Sequence, residues 1–119
     1  MYLRFKIKRL LDSLKWKRQR FKKGYADIDL WCFNSWFLEL MPRMLLELSD
    51  RMCGCPIDME HEEWKNYLTE MATHFQEAYK IDDIEGLDDN DYKKHCDYCM
   101  EEFHKGIKMF EERFWDLWD

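Results

Sequence analysis

Apolar residues return every three or four positions through almost the whole of this chain. Only four glycines and two prolines interrupt its 119 residues. A period near 3.6 lines such residues along one side of a helix, and scarce turn residues leave too few reversals for a β-sandwich or barrel. The spacing predicts an all-α fold, a small bundle of about four helices. At this length the chain is read as a single domain, 1–119, that buries enough surface to fold without a metal or disulfide.

The first predicted helix covers 2–23, with Leu3, Ile7, Leu10, Leu11, Leu14 and Phe21 on one face and Gly24 at the stop. Its opposite face mixes rings with cations: Phe5, Arg9, Trp16, Arg20 and Lys23. In 25–35, Asp27 or Asp29 offers one helix cap and Asn34 or Ser35 a second. A second long helix then runs to about residue 52. Pro42 lies inside it, removes a backbone donor and crowds the Leu38 carbonyl, so a kink or break is expected there. Gly54 and Pro56 end it. A third helix, about 59–80, carries Trp64, Leu68, Met71, Phe75 and Ala78 or Tyr79, with Asp58 as its expected cap. After an acidic loop at 81–90, a fourth runs from about 91 to the end through Tyr92, Cys96, Cys99, Phe103, Ile107, Phe110, Phe114 and Leu117. Four apolar stripes can close one core. The terminal FWDLWD either caps that core or faces a partner, and a homodimer is one way to use it.

Charge divides the chain. The overall balance is −6, but residues 1–24 sum to +9 and residues 25–119 to −15. The domain is thus read as a basic amphipathic helix (1–24) on an acidic helical body (25–119). Lys15, Lys17, Arg18, Arg20, Lys22 and Lys23 can neutralise phosphates, with Trp16, Phe21 and Tyr25 available to stack on bases, so nucleic acid is a candidate partner. A basic amphipathic helix can also lie on an anionic membrane, or pair its cations with the acidic body. No run approaches 18 apolar residues, so no transmembrane segment is expected. The opening MYLRFKIKRLL interleaves charge with apolar residues, unlike an export signal, and the expected location is cytoplasmic, with five reduced cysteines.

Little points to catalysis. Cys53, Cys55, Cys96 and Cys99 offer four thiolates, with His61, His95 or His104 as substitutes, and zinc takes such sets tetrahedrally. Cys96 and Cys99 lie on an apolar seam, however, where thiols act as small hydrophobes. The expectation is therefore no cofactor, with zinc as the minority alternative. His95 adjoins Cys96, but neighbours on a helix do not face each other, and no oxyanion motif accompanies them. The acidic loop fails the calcium pattern: placing Gly86 sixth puts Ile81 first. Asp27, Asp29, Asp58 and the Glu60–Glu63 cluster could gather magnesium, but capping accounts for most of them.

One segment resembles a known group. Tyr25-Ala-Asp27-Ile-Asp29-Leu-Trp31-Cys-Phe33-Asn34, Trp36, Pro42-Arg-Met-Leu45, Gly54-Cys-Pro56, Met59 and Glu62-Glu63-Trp64-Lys-Asn-Tyr-Leu68-Thr-Glu70-Met71, ending near Phe75, are similar to a family of small proteins of tailed phages and prophages. Shared marks are an acidic-Trp start, a Pro within the second helix, a Gly-x-Pro turn and a Glu-Glu-Trp helix start. The turn in that family often has His or an aromatic near Gly54, whereas cysteines flank it here, which weakens the zinc reading. The resemblance implies a phage accessory protein that binds and does not catalyse, in counter-defence, as an inhibitor of a host protein or a binder of a signalling nucleotide. Nucleic-acid binding through the basic helix and a zinc-stabilised adaptor are the alternatives. Trp31, Trp36 and Trp64 are expected to pack where the second and third helices meet, with Asp27, Asp29 or Asn34 accepting from an indole N–H. Alternatively Trp31 or Trp36 stacks on a flat ligand. The candidate contact residues are Trp16, Arg18, Arg20, Lys22, Lys23, Tyr25, Asp27, Asp29, Trp31 and Trp36.

Overall fold

A computed structural model describes residues 1–118. Among them the secondary structure is helical throughout: α1 (Tyr2–Lys23), α2 (Asp27–Trp31), α3 (Phe33–Arg51), α4 (His61–Tyr79) and α5 (Asp89–Arg113), with short 3-10 turns at Lys80–Asp82 and Phe114–Asp116. The all-α expectation holds. No helix among the described residues is long and apolar enough to cross a membrane. The chain divides into two compact units, Met1–Trp36 and Phe37–Asp119.

In the first unit, α1 ends where the sequence places its stop. Gly24 takes the left-handed conformation (φ 84°), and its N–H donates to the Arg20 carbonyl at 2.9 Å. Cations at Arg20, Lys22 and Lys23 suit the negative end of the helix dipole. The apolar stripe of α1 departs from expectation, because no α1 residue is buried and Leu3, Ile7, Leu10 and Leu14 are all exposed. Three helical stripes, not four, make the core. The half-buried residues of α1 are Asp12, Ser13, Trp16 and Gln19. They lie on the side that α2 occupies.

The expected caps also differ. Ala26 is the N-cap of α2, and Asp29, at the third helical position, reaches back to accept from the Ala26 N–H at 2.8 Å. The next helix starts at Phe33, ahead of both Asn34 and Ser35, and Asn34 Oδ1 accepts from the Ser35 N–H. The helix then passes Pro42 without a break. Pro42 is buried, so local packing holds helical geometry despite the donor it withholds from the Leu38 carbonyl.

The core of the second unit gathers Leu45, Trp64, Leu68, Met71, Ala72 and Phe75. The α4 stripe is the one anticipated, with Ala78 buried and Tyr79 exposed. Phe37, Phe75 and Phe110 meet edge to face in all three pairings, with centroids 5.5–6.4 Å apart, the arrangement their ring quadrupoles prefer.

The apolar stripe expected of the last helix is met in part: Cys99 is buried, and Ile107, Phe110 and Leu117 pack on the core. Glu102 and Gly106 are buried as well, while Tyr92, Phe103 and Phe114 stay exposed. A Cβ at Gly106 would lie 2.8 and 2.9 Å from two ring carbons of Phe75, so only glycine lets α5 come this close to α4. Glu102 survives burial by pairing with His74 Nδ1, and the Tyr67 hydroxyl donates to the Met109 carbonyl at 2.8 Å. α5 begins behind Asp88, whose side chain accepts from the Asp91 N–H, and ends at Arg113, short of the C-terminus.

Asp58 does not cap α4; Glu60 holds that position. Asp58 instead accepts both arms of the Arg113 guanidinium at 3.0 and 2.8 Å, and this pairing holds its carboxyl below the usual range. Arg113 also reaches Asp116 at 3.4 Å. The preceding loop and the end of α5 are thereby tied together.

Two outcomes are expected. Gly106→Ala should lower the urea midpoint: the helix-propensity gain of about 1 kcal/mol is outweighed by about 1–3 kcal/mol of overpacking against an immobile ring. A depressed folded-state pKa contributes stability above the unfolded value and loses it as pH falls through the folded value. Asp58→Asn should therefore cost stability near neutrality, with the gap to the wild type closing below about pH 4. A gap that persists in acid would contradict the clamp.

Candidate functional site

The cationic face of α1 is largely held by α2. Arg20 donates to both oxygens of Asp29, at 2.8 and 3.2 Å. This pairing and the Ala26 N–H hold the buried Asp29 carboxyl below its ordinary pKa. Gln19 donates to Asp27 at 2.8 Å and accepts from its backbone N–H at 2.9 Å. Lys15 and Lys23 each stand 3.8 Å from the Asp27 carboxylate. The hydrogen bond from Gln19 comes first among the causes that lower the Asp27 pKa, ahead of the two lysines. Lys23 also lies over the Tyr25 ring, 5.1 Å from its centroid.

Five of the candidate contact residues thus fall into one local assembly, Arg20, Lys23, Tyr25, Asp27 and Asp29, while Trp16 is half-buried on α1 and Trp31 ends α2. Arg18 and Lys22 are exposed and form no ion pair among the described residues. The carboxylates bind α1 and do not serve tryptophan indoles, which corrects that expectation. Trp31 is 84% exposed, Trp36 is half-buried and stacked on Phe33 at 5.6 Å, and only Trp64 is in a core. The three do not share an environment.

The four candidate zinc thiols lie in two places, Cys53 and Cys55 in the loop after α3 and Cys96 and Cys99 on α5. Cys53 Sγ is 3.8 Å from the Arg51 carbonyl, and Cys55 Sγ donates to the Met59 carbonyl at 3.2 Å. Cys99 is buried, and burial raises its pKa, which favours the neutral thiol. Its sulfur lies 3.7 Å from His95 Nε2, which itself donates to the Lys80 carbonyl at 2.7 Å. No three His, Cys, Asp or Glu side chains among the described residues form a metal-holding group. Glu70 and Glu102 meet opposite nitrogens of His74, so even that trio does not converge on a point.

The second unit contains a surface that sequence reasoning did not assemble. An open groove of about 730 Å³ runs along α3 and the C-terminal segment, lined by Met44, Leu48, Phe110, Phe114, Trp115 and Trp118 among others. Its charged members are Glu47 and Arg51, which pair at 3.4 Å. Trp115 and Trp118 are 85% and 74% exposed, while Leu117 between them packs on the core. Within the C-terminal segment Leu117 thus joins the core while Trp115 and Trp118 stay exposed. Trp118 also lines a second cleft of about 510 Å³ beside Cys53–Ile57 and Trp64. Such volumes are in the range of ligand and peptide sites. The aromatic excess at the C-terminus was the available signal, and its opposite wall, Met41 to Leu48, was visible only as a run of apolar residues.

In the native protein, Cys32 and Cys53 should alkylate quickly because both are exposed, and Cys99 should resist until the chain unfolds. Mass analysis of peptides after timed treatment with iodoacetamide checks this, and early labelling of Cys99 would contradict the packing of α5. No known protein family, curated protein or solved structure matches the chain.

Proposed function

We propose that the chain is an accessory binding protein of a tailed phage or prophage, acting in the host cytoplasm in counter-defence by holding a host defence protein. The observation that carries the binding role is the groove along α3 and the C-terminal segment, where Trp115 and Trp118 project into solvent. Contiguous exposed apolar surface of this kind is uncommon unless it meets a partner. A lining made mostly of Met, Leu, Phe and Trp side chains suits apolar protein side chains better than the phosphates of a signalling nucleotide. The phage origin rests on the sequence resemblance of residues 24–75. Non-enzymatic action is supported by the local engagement of Cys55, Cys99, His74 and His95.

The nucleic-acid alternative draws on Arg18 and Lys22, which are exposed on α1, while Lys15, Arg20 and Lys23 are engaged by Asp27 and Asp29. The zinc-adaptor alternative has less support, because Cys55 and Cys99 already have local environments of their own.

A phage-plating assay tests the lead reading. The chain is expressed in a bacterial host armed with one defence system at a time, beside Trp115→Ala and Met44→Glu variants. Both positions are exposed, so these substitutions should shift stability by no more than about 0.5 kcal/mol. The expected result is that plating recovers in one defended strain with the wild-type chain and not with the variants. Equal recovery by the variants would remove the groove from the activity, and no recovery with any system would overturn counter-defence.

A further inference from the structure

Helix α1 presents two chemically different sides, and only one of them has a partner. A residue advances about 100° around a helix. Leu3, Ile7, Leu10, Leu14 and Phe21 consequently share one sector, about 150° from Trp16. The bonds from Gln19 and Arg20 to Asp27 and Asp29 fix α2 on the Trp16 side. The apolar sector is left open along the length of the helix: Leu3 is 69% exposed, Leu10 61% and Phe21 92%. At about 1.5 Å per residue its 22 residues reach about 33 Å.

Charge borders this sector on both edges. Lys6 and Lys17 stand along one, Arg4 and Lys22 along the other. The only acid in α1, Asp12, is half-buried on the α2 side, away from the open sector. An apolar stripe flanked by long cationic side chains is the pattern of a helix lying in the plane of a bilayer, with its leucines below the headgroups and its lysines and arginines extended to the phosphates. A nucleic acid would neutralise the cations and leave the leucines in water. A second α1 would cover the leucines but bring two strongly basic helices together.

We propose that the open face of α1 docks on an anionic lipid bilayer, lying in its surface and not crossing it. The proposal stands on the first unit alone and is independent of the groove reading above.

Co-sedimentation of the full-length protein with vesicles tests it. Phosphatidylglycerol and phosphatidylcholine in equal parts are compared with phosphatidylcholine alone. The protein should partition onto the anionic vesicles, and binding to the neutral ones should be at least about tenfold weaker. Leu10→Ala with Leu14→Ala keeps high helix propensity and disturbs no buried residue, so helical circular dichroism should be unchanged while binding falls about tenfold or more. Lys6→Gln with Lys17→Gln should weaken binding and reduce its salt dependence. The proposal is overturned by absence of vesicle binding, or by binding that salt abolishes and the leucine variant leaves intact. It is also overturned if the leucine variant instead dissociates a dimer seen by native mass spectrometry, which would assign the stripe to a second copy.

Discussion

The approach of α5 to α4 at Gly106 sets the geometry of the second unit. Because no Cβ intervenes, the Phe75 ring lies against the α5 backbone, and from there it reaches both Phe37 and Phe110. The same closeness brings Glu102 within reach of His74 and lets Tyr67 bond the Met109 carbonyl. These polar contacts fix the register that packing alone would leave free to slide, since a buried carboxylate tolerates few alternative partners. With α5 so placed, Phe110 and Phe114 become one wall of the groove, and Arg113 is in position to take Asp58.

The first unit works by a different force. It has almost no buried apolar surface, and its order comes from a carboxylate pair at the start of α2 reading a cationic face on α1. Exposed ion pairs contribute little singly. Asp29 is the exception, because it is buried, accepts both arms of Arg20 and satisfies the Ala26 N–H. Charge-assisted bidentate contacts of that kind carry direction as well as attraction.

The sequence made α1, α4 and the overall helical class legible because these depend on local periodicity and a clear Gly24 stop. What it hid depends on contacts between segments. Hydrophobic spacing found Cys99, Ile107 and Phe110 on the core side of α5, but the close approach at Gly106 also buries Glu102, which no apolar count would select. Asp58 read as a helix cap because a carboxylate before a helix usually is one, and Arg113, 55 residues on, outcompeted the helix for it. Trp31, Trp36 and Trp64 looked alike in sequence, but of the three only Trp64 is buried in a core. The groove was the least legible feature. Its walls are far apart in the chain, and nothing in either wall alone distinguishes an apolar surface left open from one that joins the core.

The pairing of Arg20 with Asp29 also restricts how the chain can diverge. Arg20 cannot change sign alone without stranding a buried carboxylate, and Asp29 cannot be lost without releasing both the guanidinium and the Ala26 N–H. The two positions are bound to vary together, whereas Arg18 and Lys22 lie outside this constraint and can drift singly. Changes on the outward surface of α1 can therefore accumulate while the α1–α2 joint stays fixed.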